Sequence, residues 1–188
     1  MSKGLLKATI TGSLVCMLLV VAAHSGSIHT KQIPSKTVEL LETKFMMSVA
    51  LAIAKTKGDL KSATGFFGTN SQRFKHVGTQ DQGEMRVEGY SVMDISSAII
   101  GYSLFFYKTS DSLAIIDTSI NPQNKEAMKN VAQLTKNSLD STATGSNTKL
   151  YFLGTHDLDS RRLLKIMLRE ARTPMGLDYA IRYAISSK

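Results

Sequence analysis

The sequence predicts an α+β (or α/β) domain: a mixed sheet with a central hairpin, a C-terminal β-α-β-α run, and helices packed on the sheet. Three observations lead there. Residues 102–107 and 113–117 are apolar runs flanking Thr109, Ser110, Asp111 and Ser112, the pattern of two strands joined by turn chemistry. Apolar residues recur at helical spacing between 35 and 57, where a helix with one broad apolar face is expected. Beyond residue 120, strand-like and helix-like stretches alternate, which argues for helices packed on a sheet. Composition fits a globular chain: 188 residues, 43% hydrophobic, 20% charged, 7% aromatic and no tryptophan. Such values exclude a collagen, a coiled-coil rod, a wholly disordered chain and a polytopic membrane protein.

The elements follow in order. Residues 1–25 carry a basic start (Lys3, Lys7), ten consecutive apolar residues at 14–23, then small residues up to Gly26. That layout predicts a signal peptide cut between His24 and Ser27, with an uncleaved N-terminal anchor over 5–23 as the alternative. The apolar run is short against the roughly 20 residues of a membrane span. The expected location is therefore extracytoplasmic, periplasmic or secreted, or else membrane-anchored. Cys16, the single cysteine, lies in this run. A cleaved chain would hold no thiol, which removes disulfides, CxxC metal sites and thiol catalysis.

Residues 26–36 read as a linker and 37–188 as a single globular domain. The first helix spans 35–57, opened by Pro34 and Ser35 and stopped by Lys55, Lys57 and Gly58, since cations and a left-handed glycine suit a helix C-terminus. Residues 59–89 are glycine-rich and predict short strands and turns or a mobile arm. Glu84 to Glu88 alternates and is the best strand there. Residues 92–100 fit a short helix or the start of a strand. Asn121 and Pro122 predict a helix start, running to about Leu139. A loop covers 140–147 and a strand 150–153. Asp159 or Ser160 then caps a helix over 161–172, and Thr173 and Pro174 open a last helix to about Ser186.

Few residues carry a chemical signature. No HExxH, GxSxG, phosphate-binding glycine loop, CxxC or EF-hand pattern occurs, so no metal or cofactor is expected from motif. His156, Asp157 and Asp159 cluster between a predicted strand end and a predicted helix start. There an imidazole oriented by a carboxylate could act as a general base, or the three could ligate a divalent metal. The commoner role of such acids is capping. Asp94 and Asp117 fall in apolar surroundings, where a strand-end Asp usually bonds nearby backbone amides. Ser96 and Ser97 lack any nucleophile motif. Arg73, Lys75 and His76 beside Phe74 form a faint basic-aromatic group, more in keeping with a solvated loop than with a nucleic-acid surface.

The chain carries a formal net charge of +8. On a helix over 161–172, Arg162, Lys165, Arg169 and Arg172 would form one basic stripe beside Leu164, Met167, Leu168 and Ala171. That stripe is the expected binding surface, for a protein partner or an anionic membrane. Nucleic acid is disfavoured for an exported chain, and no small-molecule ligand is identifiable. The sequence therefore points to an exported accessory or binding protein, in an envelope assembly or secreted. A His/Asp- or metal-dependent hydrolase centred on His156, and a single-pass structural subunit of a membrane complex, are the alternatives.

Overall fold

The computed structural model describes residues 31–94 and 97–188. The expected signal peptide or anchor, Cys16, residues 26–30 of the linker and Ser96 lie outside the described residues. Four helices and eight strands follow in the order α1 (Ser35–Phe45), α2 (Met47–Ala54), α3 (Leu60–Thr69), β1 (Phe74–Gln82), β2 (Met85–Val92), β3 (Ile99–Tyr107), β4 (Leu113–Ile120), α4 (Lys125–Lys136), β5 (Asp140–Thr144), β6 (Thr148–Asp157), β7 (Arg162–Thr173) and β8 (Gly176–Ser187). The strands form one sheet in the order β1-β2-β3-β4-β8-β7-β6-β5. Every neighbouring pair is antiparallel.

This overturns the expected α+β or α/β class with a mixed sheet. The protein is predominantly an antiparallel β-structure, made of two meanders, β1 to β4 and β5 to β8, joined between β4 and β8. The C-terminal β-α-β-α run is not present. The stretch expected as a helix over 161–172 is β7, and the one expected from 173 to 186 is β8. Leu164, Ile166 and Leu168 alternate inward and pair across strands with Ile185, Tyr183 and Ile181. Burying that shared apolar face in a twelve-residue hairpin outweighs the helix propensity of Arg, Leu, Lys, Met and Glu. The predicted hairpin of 102–107 with 113–117 is β3 and β4, next to the central β4–β8 pair.

Smaller departures have local causes. The helix expected over 35–57 is broken at Met46, which adopts φ 53° and ψ 41°. Phe45 and Met47 are both fully buried. Residues two apart on one helix point about 200° apart, so the break aims both at the core. The Glu42 carboxylate accepts from Ser48 N at 3.0 Å and serves as a cap for α2. In the glycine-rich stretch, Asp59 caps α3 by accepting from Ser62 N at 2.7 Å, and β1 and β2 form a ladder. The helix expected from Asn121 starts at Lys125, capped by Asn124. Asn121 instead closes a turn onto Gln123 N at 3.0 Å. The loop expected over 140–147 contains β5.

The core lies between the helices and one face of the sheet. Leu41, Phe45, Ile53, Phe67 and Leu134 from the helices meet Tyr102, Leu104, Ile116, Ile181 and Tyr183 from the central strands. Phe67 stacks on Tyr90 with ring centroids 3.8 Å apart and meets Phe74 edge-on at 5.2 Å. The incoming chain is tied to β6: Ile33 N bonds Thr155 O at 3.0 Å, and Thr155 N bonds Lys31 O at 2.8 Å. Gly154 makes this contact possible. Its φ is +139°, and a β-carbon there would stand 2.4 Å from Ile33 Cα.

Gly154→Ala is therefore expected to destabilise the fold by about 2 kcal/mol or more, combining backbone strain with a steric clash. Denaturant unfolding checks the magnitude. Faster proteolysis at 31–34 than in the wild type checks that the tie to β6 is what fails.

Candidate functional site

Cross-strand register assigns the sheet two unlike faces, because successive residues of a strand point to opposite sides. On the face away from the helices, one row runs Ser103, Asp117, Arg182, Met167, Phe152 and Asp140 through the paired strands. Asp117 and Arg182 are directly opposed on the β4–β8 joint. Arg182 grips the carboxylate with two hydrogen bonds, Nε to Oδ1 at 2.8 Å and Nη2 to Oδ2 at 2.7 Å. This fork-to-carboxylate geometry is the strongest form such a pair takes. Arg169, one row along, sets its Nε 3.7 Å from Asp117 Oδ2 and donates Nη2 to Asp178 Oδ2 at 2.8 Å. The Arg182 guanidinium also lies 5.9 Å from the Phe105 ring centroid. Two cations and two carboxylates thus form one neutral network.

Asp117 is 4% exposed. Burial pushes its carboxyl up, but the charge and hydrogen bonds of Arg182, helped by Arg169, outweigh burial and hold it below its ordinary value. From sequence, Asp117 is expected at a strand end, bonding backbone amides. The structure puts it mid-strand, paired with an arginine 65 residues away. Only the long-range register reveals such a partner.

A second buried carboxylate lies on the β1–β2 ladder. Glu88 accepts from Arg86 Nε at 2.6 Å and Thr79 Oγ1 at 2.7 Å, and meets His76 Nε2 at 2.8 Å. Burial raises its carboxyl, but the hydrogen bonds from Thr79, His76 and Arg86, with the Arg86 charge, bring it below its ordinary value. The neighbouring Tyr90 phenol is pushed up to about 12, by burial first and the Glu88 charge second. Two partners of Glu88, His76 and Thr79, tie the β1 edge strand to the sheet, and Arg86 braces the carboxylate from β2 itself. His76, which in sequence belongs to a basic-aromatic group, is one of these ties.

The expected His156 site does not assemble. His156 and Asp157 are consecutive in β6, paired with Leu164 and Leu163, so their side chains leave opposite faces. Asp157 pairs with Lys188 Nζ at 2.9 Å. Asp159 sits in the β6–β7 turn, accepting from Arg161 N at 2.8 Å and Arg162 N at 2.9 Å. It closes a hairpin instead of capping a helix, because β7 follows. Among the described residues no group of three or more His, Cys, Asp or Glu could hold a metal ion.

The expected basic stripe is divided by the strand period. Lys165 and Arg169 share the face away from the helices, with Arg169 in the central network. Arg162 and Arg172 have the opposite parity, at the two ends of β7. Arg162 pairs with Asp159 at 2.8 Å, and Arg172 is exposed beside the β7–β8 turn.

The remaining feature of the face away from the helices is its apolar content. Met85, Val87, Phe105 and Ala114, with Ile115 against them, form a second cluster built from strand residues alone. It continues outward into two exposed side chains. Tyr107, opposite Met85, is 43% exposed, and Val77, lying over Gly89, is 45% exposed. No protein-family model, curated protein or solved structure matches the chain.

Removing one partner of the buried pair strands the other. Asp117→Asn is expected to cost about 3 kcal/mol at neutral pH, and Asp117→Leu with Arg182→Met to recover most of that loss. The pH dependence has a definite sign. A carboxyl held below its unfolded value of about 3.9 stabilises the fold fully above that pH and loses the effect as pH falls through the folded value. The wild type should therefore lose stability faster than Asp117→Asn between about pH 5 and pH 2 in denaturant titrations. Equal slopes would mean that Asp117 is not held ionised by its arginines.

Proposed function

We propose that the chain is an exported accessory protein that binds a protein partner on the sheet face opposite its helices. The observation that carries this reading is the apolar character of both faces of β2, β3 and β4. An antiparallel sheet with one solvated face normally alternates apolar and polar residues. Here β3 reads Ile99-Ile100-Gly101-Tyr102-Ser103-Leu104-Phe105-Phe106-Tyr107, apolar on both parities over its second half. The helices account for Tyr102, Leu104 and Phe106. Phe105 and Val87 are buried in a cluster with Ile115 packed against it, and the exposed Tyr107 and Val77 extend that cluster to the surface as apolar side chains of the kind that mark a protein contact. Export follows from the basic, apolar and small-residue order at 1–25, and an extracytoplasmic site of action belongs to the same proposal.

Site-specific cross-linking tests the reading. A photo-reactive residue at Tyr107 should give one adduct of defined mass in the cells that make the protein. The same residue at Lys129, exposed on α4, should give none. Val77→Lys should remove the Tyr107 adduct without lowering the melting temperature. No adduct at Tyr107, or equal adducts at both positions, would defeat the proposal.

A further inference from the structure

The sheet has two unlike ends as well as two unlike faces. β8 begins four residues before Ala180, which pairs with Ser119 near the end of β4. β3 begins at Ile99, opposite Ile120. The β7–β8 turn and the start of β3 therefore point toward the same end of the sheet, two strands apart, with the turn projecting several residues farther. This end holds four of the large hydrophobics most exposed in the described chain: Met175 at 93%, Met93 at 53%, Leu177 at 47% and Ile100 at 45%. Met175 is held out by its turn. Thr173 Oγ1 accepts from Met175 N at 3.2 Å and donates to Gly176 O at 2.9 Å.

Cations accompany these apolar side chains. Arg73, Lys75, Lys125 and Arg172 are exposed and lie at or beside this end. Among the described residues none of the four forms an ion pair. Of the acids near them, Asp178 is paired with Arg169 and Glu126 with Lys129, and Asp94 has interactions of its own.

We propose that this end of the sheet docks on an anionic lipid surface, with Met175 and Leu177 entering the headgroup boundary and the four cations meeting lipid phosphates. Exposed apolar side chains at separate points of the sheet end need no shape match in a fluid interface. A protein partner would need a matching pocket for each tip. Unpaired cations around apolar tips are the arrangement that binds such a surface through both forces. The surface is distinct from the face around Phe105 and stands independently of it.

Vesicle flotation with the full chain tests this, using phosphatidylcholine alone and phosphatidylcholine mixed with phosphatidylglycerol. Met175→Asp with Leu177→Asp should lower partitioning onto the mixed vesicles at least about tenfold, since both side chains lose their apolar burial. Arg73→Gln with Arg172→Gln should weaken it by about fivefold for each cation removed and cut the preference for the anionic vesicles. A fluorophore on Met175→Cys in a Cys16→Ser background should shift to the blue on mixed vesicles, while the same dye on Lys129→Cys should not. Because all variants keep residues 1–30, lipid binding by that segment is common to them. Partitioning by either double variant equal to the wild type, or no spectral shift at position 175, would overturn the proposal. Capture of an acidic protein by this end in place of vesicles would do the same.

Discussion

The β4–β8 joint is the constraint on which the rest of the structure depends. Each meander is made of strands that neighbour one another in sequence, and among the described residues the strand pairing that joins them runs between 115–119 and 180–184. Asp117 and Arg182 stand at the middle of that short ladder. Because the pair is buried and doubly hydrogen-bonded, a slip of the register by one residue would separate the two charges and send each to the wrong face. The same slip would turn the fully buried Ile116, Thr118, Ile181 and Tyr183 out of the core. The ion pair and the packing thus specify one register together.

That joint also shapes what the protein presents to its surroundings. The helices cover one side of the sheet. The opposite side keeps its charged network neutral, with each of Asp117, Asp178, Arg169 and Arg182 answered by another, beside the apolar cluster of β2 to β4. Arg73, Lys75, Lys125 and Arg172 lie at or beside one end of the sheet. The antiparallel frame holds both features at fixed positions.

Local signals in the sequence identify part of this. The apolar runs around Thr109 to Ser112 read directly as a hairpin, and the apolar period of 35–57 reads as helix apart from its break at Met46. The C-terminal hairpin reads as helices because β7 carries two periods at once. Leu164, Met167, Leu168 and Ala171 fit a helix, whereas Leu164, Ile166 and Leu168 fit a strand. Tyr179, Ile181, Tyr183 and Ile185 alternate strictly, and Thr173-Pro174-Met175-Gly176 has turn chemistry. Together they contain the strand signal. The site residues are less legible for a different reason. Asp117 and Glu88 owe their roles to partners brought close by register, and spacing along the chain carries no trace of them. Lys165 and Arg169 belong to the expected helix stripe, yet reach one face of a strand because a separation of four residues preserves side in both geometries.

Native-state hydrogen exchange at the backbone amides of residues 115–119 and 180–184 tests most directly whether the buried pair welds two meanders into one cooperative sheet. If it does, the slowest of these amides exchange only by global unfolding, at the same free energy as the slowest amides of β3 and β7. Exchange of the β4–β8 ladder at a clearly lower free energy than the β2–β3 and β6–β7 ladders would mean that the halves part before either unfolds, and would contradict a weld at Asp117 and Arg182.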